Sequence, residues 1–497
     1  MRYILKHKNI PVLIFDLSEN EVIGAVINKL SLEHLPLPLK LIVNADNIEE
    51  ENGELITVDE EGCCKIEMWL SERAVPVSRY NYEKYIQNGK TGIIWLLENN
   101  AFSFDDCYII TEIENDVSWE TVKERMNSLD ELVTVEHNSN EMNFIYKGHN
   151  SALGGQLEKY WFRQDGELSL CKKHPQQAEI LSIREIIASE IYKKQGFPAC
   201  EYHFLRDSDK RITGCTCKSF VDNDSFELIT AYDLLQEYGL TQDDNVYELL
   251  VKLATLKGAD GKAVSDFLDM MTLVDYLITN RDRHEGNIGF LRNADTLEIV
   301  GPAPVYDSGS SLKLEGNMPE NVAGTTVNGL YPTEDECLKH VQNRRILNPE
   351  LLPEANEIKR ILDESTSLSA ERKEGLLSLF IRKAEYIRKL ADEHSYTVDG
   401  KKVEAENAMN MFRVIYKGLL KKKVENEEHH KFLVMIYNGN RLVLDFVNGL
   451  IFYEVEGRRL LFNEIKDKNF KQLVVDAQKQ LKEFLKEYDF DIKWKSI

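Results

Sequence analysis

The chain has 497 residues, with 61 Lys and Arg against 84 Asp and Glu, a net charge of −23. An acidic excess of that size gains nothing from phosphate backbones or anionic membranes, so nucleic-acid binding is disfavoured as the main activity, though a local basic patch is not excluded. Hydrophobic residues at 43 % and charged residues at 29 % exclude a disordered chain and supply cores for roughly two to four domains.

The run from Met1 to Pro11 interleaves Lys and His and lacks the apolar core of a signal peptide. No later stretch is apolar for the roughly 18 residues a transmembrane helix needs, so a cytoplasmic chain is expected. None of Cys63, Cys64, Cys107, Cys171, Cys200, Cys215, Cys217 and Cys337 forms a CxxC pair. They read as small buried hydrophobes of a reducing compartment, with the Cys215 and Cys217 thiols on one side of a strand.

Residues 1–140 mix short strands and helices and read as an N-terminal α/β accessory domain. Pro11 to Phe15 suits a strand. Glu67 to Arg73 suits a short amphipathic helix or a strand end, stopped by Pro76, and Ser118 suits the cap of a helix running to Met126. Met142 to Phe220 is strand-rich, interrupted by a helix from Ala178 to Gln195. Helices then follow over Thr230–Tyr238, Asp244–Lys257 and Ala263–Thr279, and a helical pair spans Leu352 to about His394. Residues 398–497 read as a small α/β appendage. It holds a hairpin, Val434–Tyr437 and Arg441–Leu444 around Asn438-Gly439, and a final helix with Phe470, Leu473, Val474, Ala477, Leu481, Phe484 and Leu485 on one face.

The chemistry concentrates between these elements. Thr279-Asn280-Arg281-Asp282-Arg283-His284-Glu285-Gly286-Asn287 follows an apolar helix. Phosphoryl transfer needs a carboxylate to accept the proton of the attacking hydroxyl and an amide oxygen on the metal, and in protein kinases these are an Asp and an Asn five residues later, the spacing of Asp282 and Asn287. A hairpin, Ile288–Leu291 and Thr296–Val300, precedes Pro304-Val305-Tyr306-Asp307-Ser308-Gly309, where a kinase carries its second metal-binding Asp. Asp307 is that candidate, and Mg²⁺ suits such a sparse oxygen set because phosphate and water complete its shell. Upstream, Glu167 to Lys173 alternates like a strand, and Glu185 lies thirteen residues beyond Lys172. A strand lysine held by a helix glutamate fits Lys172 and Glu185, with Lys173 and Glu190 as the alternatives. Gly154-Gly155 in Gly148–Lys159 would let backbone amides approach phosphate oxygens. Arg281 and Arg283 suit an acidic partner, a phosphate or plain surface exposure, and His284 a hydrogen-bonding strut.

These residues resemble the HipA-like serine/threonine kinases, toxin-type bacterial kinases, over about residues 145–395. Asn280, Asp282, His284 and Asn287 match the family's Asn-x-Asp-x-His-x-x-Asn loop. Pro304, Tyr306 and Asp307 match its Pro-x-Tyr-Asp segment. Ser151, Gly154, Gly155, Gln156 and Lys159 resemble its phosphate loop, with one extra residue between Gln156 and Lys159. The resemblance implies a two-lobed α+β kinase-like fold, with an N-lobe over 141–225 and a C-lobe over 226–397, flanked by the accessory domain and the appendage. It implies ATP and Mg²⁺ as cofactors, Asp282 as catalytic base, Asn287 and Asp307 on magnesium, and Lys172 on ATP. It makes Ser151 a candidate site of inhibitory autophosphorylation. A protein substrate is expected, and a small helix-turn-helix antitoxin is a candidate partner. The competing readings are AMP transfer on the same fold and a nucleotide-binding pseudokinase.

Overall fold

The structure, a computed structural model, describes residues 1–393 apart from 44–49, 52–53, 87–89, 129–132, 139–140, 165, 175, 222–223, 239–244 and 313–324. Beyond these it describes 432–437, 440–445, 450–455, 458–460, 471, 475 and 495–496. The chain divides into two compact units, Met1–Gln342 with Leu347–Tyr386, and Asn343–Ile346 with Ile387–Ile497.

The first unit begins with an antiparallel sheet. Strands β1 (Arg2–His7), β2 (Ile10–Ser18), β3 (Glu21–Asn28), β4 (Glu50–Glu51), β5 (Leu55–Val58) and β6 (Tyr108–Glu112) lie in the order β4-β5-β3-β2-β1-β6. In β2 Val12, Leu13, Phe15 and Leu17 are buried, and helix α1 (Glu60–Arg73) packs on the same core through Cys63, Ile66 and Leu70. Asp59 caps α1 by accepting from the Gly62 amide at 2.8 Å. The segment Glu67–Arg73 is therefore the second half of a 14-residue helix rather than a short element. Helix α2 (Gly92–Glu98) follows, and α3 (Trp119–Asn127) is capped by Ser118, which accepts from Thr121 N at 3.3 Å.

Strands β7 (Val133–Asn138) and β8 (Glu141–Tyr146) form a hairpin. Strands β9 (Glu158–Gln164), β10 (Glu167–Lys173), β11 (Tyr202–Arg206) and β12 (Ile212–Lys218) form a second antiparallel sheet, ordered β11-β12-β10-β9. Helix α4 (Ala178–Lys194) lies against it, and Cys200, Cys215 and Cys217 are buried together with Ile186 and Tyr202. All eight cysteines are free, and Cys64 is the exposed one.

A third sheet, β13 (Phe226–Thr230), β14 (Gly289–Asn293) and β15 (Ile299–Pro302), is accompanied by α5 (Ala231–Tyr238), α6 (Val246–Leu256) and α7 (Gly261–Ile278). Helix α7 is capped by Asp260, is buried from Phe267 to Ile278, and ends at Thr279 in a left-handed conformation, φ 52°. A β-branched residue there is uncommon. Its effect is to turn the chain out of the core at the start of the Asn280–Asn287 loop. Helices α8 (Glu334–His340), α9 (Ala355–Asp363) and α10 (Ala370–Glu393) follow. In the second unit, strands β16 (Phe432–Tyr437), β17 (Asn440–Asp445), β18 (Leu450–Val455) and β19 (Arg458–Leu460) form an antiparallel sheet. The tip Asn438-Gly439 and most of the final helix lie outside the described residues. Among the described residues no helix is long and apolar enough to cross a membrane.

Candidate functional site

Lys172 is where the elements meet. The β9–β10 register pairs Lys172 with Lys159, so both side chains leave the same face of the sheet. Lys172 Nζ lies 2.7 Å from Glu185 Oε1 on α4 and 3.0 Å from Asp307 Oδ1. Lys172 and Glu185 are buried, at 7 % and 2 % exposure. Lys172 and Glu185 are thus the facing pair, while Lys173 lies over the Tyr160 ring.

The electrostatics follow from this packing. Burial pushes Lys172 down, but Asp307 and Glu185 outweigh it and hold the ammonium well above its ordinary range. Burial pushes Asp307 up, but Lys172 and Lys159 outweigh it and hold the carboxyl well below the usual range. Lys159 is lowered, chiefly by burial, with Asp307 opposing and Lys172 and Arg79 adding to the effect. The Lys172 ammonium thus faces an ionised Asp307, with Lys159 on the same face, a set that can take up both phosphate oxygens and a divalent cation.

Asp307 is positioned by the backbone around it. Val305 N donates to Pro198 O at 3.1 Å and Cys200 N to Val305 O at 2.8 Å, which docks the segment beside the connection between α4 and β11. Asp307 itself is left-handed, φ 54°, and Asp tolerates that region better than most residues. Glu185 then accepts from Ser308 N at 2.8 Å through Oε2, so one carboxylate holds both Lys172 and the turn after Asp307.

The Asn280–Asn287 loop is organised from below by Arg283. Its Nε and Nη2 donate to Asp275 at 2.8 and 3.1 Å. Its Nη1 donates to the carbonyls of Asn287 at 2.9 Å and Tyr306 at 2.6 Å, and Nη2 donates to Ser308 Oγ at 3.0 Å. One buried guanidinium therefore ties the residue carrying the candidate metal amide to the residue before Asp307. Asn287 Nδ2 donates to the Asp282 carbonyl at 2.8 Å, which turns its Oδ1 the other way, as a cation ligand would need. Asp282 Oδ1 accepts from Asn328 Nδ2 at 2.9 Å. His284 Nδ1 accepts from Gly286 N at 3.1 Å and caps the short turn Glu285–Asn287, which is the strut role.

In the phosphate loop Gly154, Gly155 and Gln156 are exposed. Gly155 is left-handed, φ 86°, a conformation that favours glycine, and a Cβ there would sit 2.9 Å from Lys159 Nζ. Ser151 is fully buried, and among the described residues its hydroxyl has no hydrogen-bond partner. No hydrogen bond joins Ser151 or Gln156 to Lys172 or Asp307 among the described residues. Sequence reasoning missed Asp275, Ser308 and Asn328, whose residue types carry no motif, and it missed Arg79, which belongs to the N-terminal region.

A second grouping of metal-ligand types, His7, Cys107 and Glu227, is fully buried. Glu227 Oε1 already meets His7 Nε2 and Cys107 N, and Oε2 meets Arg292 at 3.0 and 2.7 Å. A carboxylate with its four acceptor sites so engaged is a structural joint between β1 and β13.

No family model matches the chain. The site, with its carboxylates, amide and strand lysine, has the composition of a kinase-like phosphotransferase centre. Over 179 residues the chain is 27 % identical to the serine/threonine-protein kinase CtkA of Helicobacter pylori strain J99, a match covering 33 % of this chain and 52 % of that protein. The chain therefore spans about half the length of the curated relative it matches. The crystal structure of the proinflammatory kinase CtkA of Helicobacter pylori aligns with a TM-score of 0.38 at 20 % identity, over 53 % of this chain and 98 % of that one. HipA of the Shewanella oneidensis MR-1 toxin–antitoxin system, solved with HipB and operator DNA, aligns with a TM-score of 0.41 at 13 % identity, over 78 % of this chain and 99 % of that one. The sequence match bears out the resemblance to a serine/threonine kinase.

Proposed function

We propose that the chain is an ATP- and Mg²⁺-dependent serine/threonine protein kinase. The observation that carries the reading is the single chain of contacts Glu185–Lys172–Asp307, with Arg283 binding the Asn287 and Tyr306 carbonyls beside it. In this reading β9–β12 with α4 form the N-lobe and α5–α10 the C-lobe, with domains at 1–140, 141–225, 226–397 and 398–497.

The residues present suit the cofactor. Asp307 stays ionised because Lys172 and Lys159 face it, and the Asn287 amide adds a neutral oxygen. Magnesium, when bound, neutralises charge on the nucleotide's terminal phosphates. Lys172, kept ionised and oriented by Glu185, holds the phosphate oxygens. Asp282 accepts the proton of the substrate hydroxyl, and the Asn328 amide holds its carboxylate in place. Gly154 and Gly155 allow close approach of the backbone to phosphate, and Lys159 adds its amino group as a hydrogen-bond donor at the same face.

Ser151 belongs to this reading as a switch. A phosphate carries a charge of about −2 at neutral pH and does not fit a fully buried position. Its modification would therefore accompany expulsion of the loop.

Intact-mass measurement after incubation with ATP and Mg²⁺ tests the reaction type. A gain of phosphoryl groups supports it; a gain of AMP would establish nucleotidyl transfer instead, and ATP binding without either would make the chain a pseudokinase.

A further inference from the structure

Arg79 lies in the N-terminal region, between α1 and the turn Tyr82–Lys84, far in sequence from the site. Its side chain is 3 % exposed, and among the described residues no carboxylate lies within ion-pair distance of it. A buried guanidinium without a counter-charge is costly and needs a reason to be there. Its partners are three successive carbonyls of the glycine loop. Nε donates to Gly155 O at 3.0 Å, and Nη2 donates to Leu153 O at 2.5 Å and Gly154 O at 2.6 Å. Tyr80 N adds a bond to Gln156 O at 2.9 Å.

In a trans peptide the N–H points opposite to the C=O of the same unit, and the described residues include no cis peptide bond. With the carbonyls of Leu153, Gly154 and Gly155 drawn to the guanidinium, the amides of Gly154, Gly155 and Gln156 face away from it. None of the three donates to another group among the described residues. Successive amides turned to one side form an anion-binding concavity, and Lys159 Nζ borders it at Gly155. The guanidinium also rests over the Tyr85 ring, centroid distance 5.0 Å. Tyr85 Oη in turn grips Lys159, accepting from its amide at 2.9 Å and donating to its carbonyl at 2.6 Å. Arg79 thus holds the loop from Leu153 to Gly155, and Tyr85 the start of β9, which carries Lys159.

We propose that Arg79 is a positioning residue of the nucleotide site: by collecting three carbonyls on one side, it sets the amides of Gly154, Gly155 and Gln156 to receive a phosphoryl group. The N-terminal region is thereby part of the ATP site. The proposal rests on the kinase reading and adds a residue outside the expected kinase core.

The test compares Arg79→Met and Arg79→Lys with the wild type in binding Mg²⁺·ATP and adenosine by calorimetry, with thermal melting as a control. The expected result is a loss of about tenfold or more in ATP affinity in Arg79→Met, equivalent to about 1.4 kcal/mol or more, with adenosine binding unchanged. Arg79→Lys, which keeps one carbonyl contact, should fall between. If Arg79→Met does not fold, Arg79→Lys alone decides, by the same split between ATP and adenosine. Equal losses for both ligands, or no loss for either, would overturn the proposal. A wild type that binds no ATP would instead overturn the kinase reading.

Discussion

Arg283 and Asp275 form a two-pronged buried ion pair, 2.8 and 3.1 Å, between the end of α7 and the loop that follows it. Burial pushes Arg283 down but Asp275 outweighs it, so the guanidinium stays ionised. Three further bonds, to Asn287 O, Tyr306 O and Ser308 Oγ, make the pair the common support of Asp282, Asn287 and Asp307. Removing Arg283 leaves Asp275 buried and uncompensated. Arg283→Met should cost about 3–5 kcal/mol of stability, read by urea denaturation, and should abolish phosphoryl transfer in whatever folded fraction remains. A variant of wild-type stability and activity would show that the pair supports nothing.

Glu185 orients Lys172 and holds the Ser308 amide at the same time. Glu185→Gln keeps the shape but releases the ammonium toward Asp307. Misplacement of this kind costs on the order of 10²-fold in rate, and steady-state kinetics should show it in kcat. An unchanged kcat would mean that Lys172 is held elsewhere during turnover.

His149 precedes the phosphate loop and is buried beside Phe104, with Nε2 2.8 Å from Asn150 Nδ2. Burial pushes its imidazole down to about 3 from an ordinary 6.5. A group whose folded pKa is depressed binds more protons when unfolded, so stability falls as pH falls. The His149 contribution is complete above about 6.5 and is lost progressively toward about 3. Denaturation midpoints across that window should fall in the wild type and fall less steeply in His149→Gln. Parallel curves would remove His149 as the cause.

The candidate catalytic loop was legible because the chemistry proposed for it forces residue types and spacing: Asp282 and Asn287 five apart, then a hairpin, then Asp307. Lys172 and Glu185 were legible as a strand lysine and a helix glutamate, and the β9–β10 register with α4 makes them the facing pair. The supports were not legible. Asp275 looks like any polar residue in an apolar helix, and only its depth in the core and its distance to Arg283 give it meaning. Arg79 is separated from Gly154 by 75 positions, and no local pattern encodes a contact made by tertiary packing. Helix α1 was under-read because Cys63 and Ile66, which continue its buried face back toward Asp59, lie among acidic neighbours that suggest a loop.

In the proposed reaction Asp282, Asn287 and Asp307 together present a nucleotide's terminal phosphate to a hydroxyl. Incubation with γ-labelled ATP and Mg²⁺, wild type beside Asp282→Asn and Asp307→Asn, measures it directly. The expected result is strong labelling of protein by the wild type and near-background labelling by both variants, each folded by thermal melting. Equal labelling in all three would contradict it.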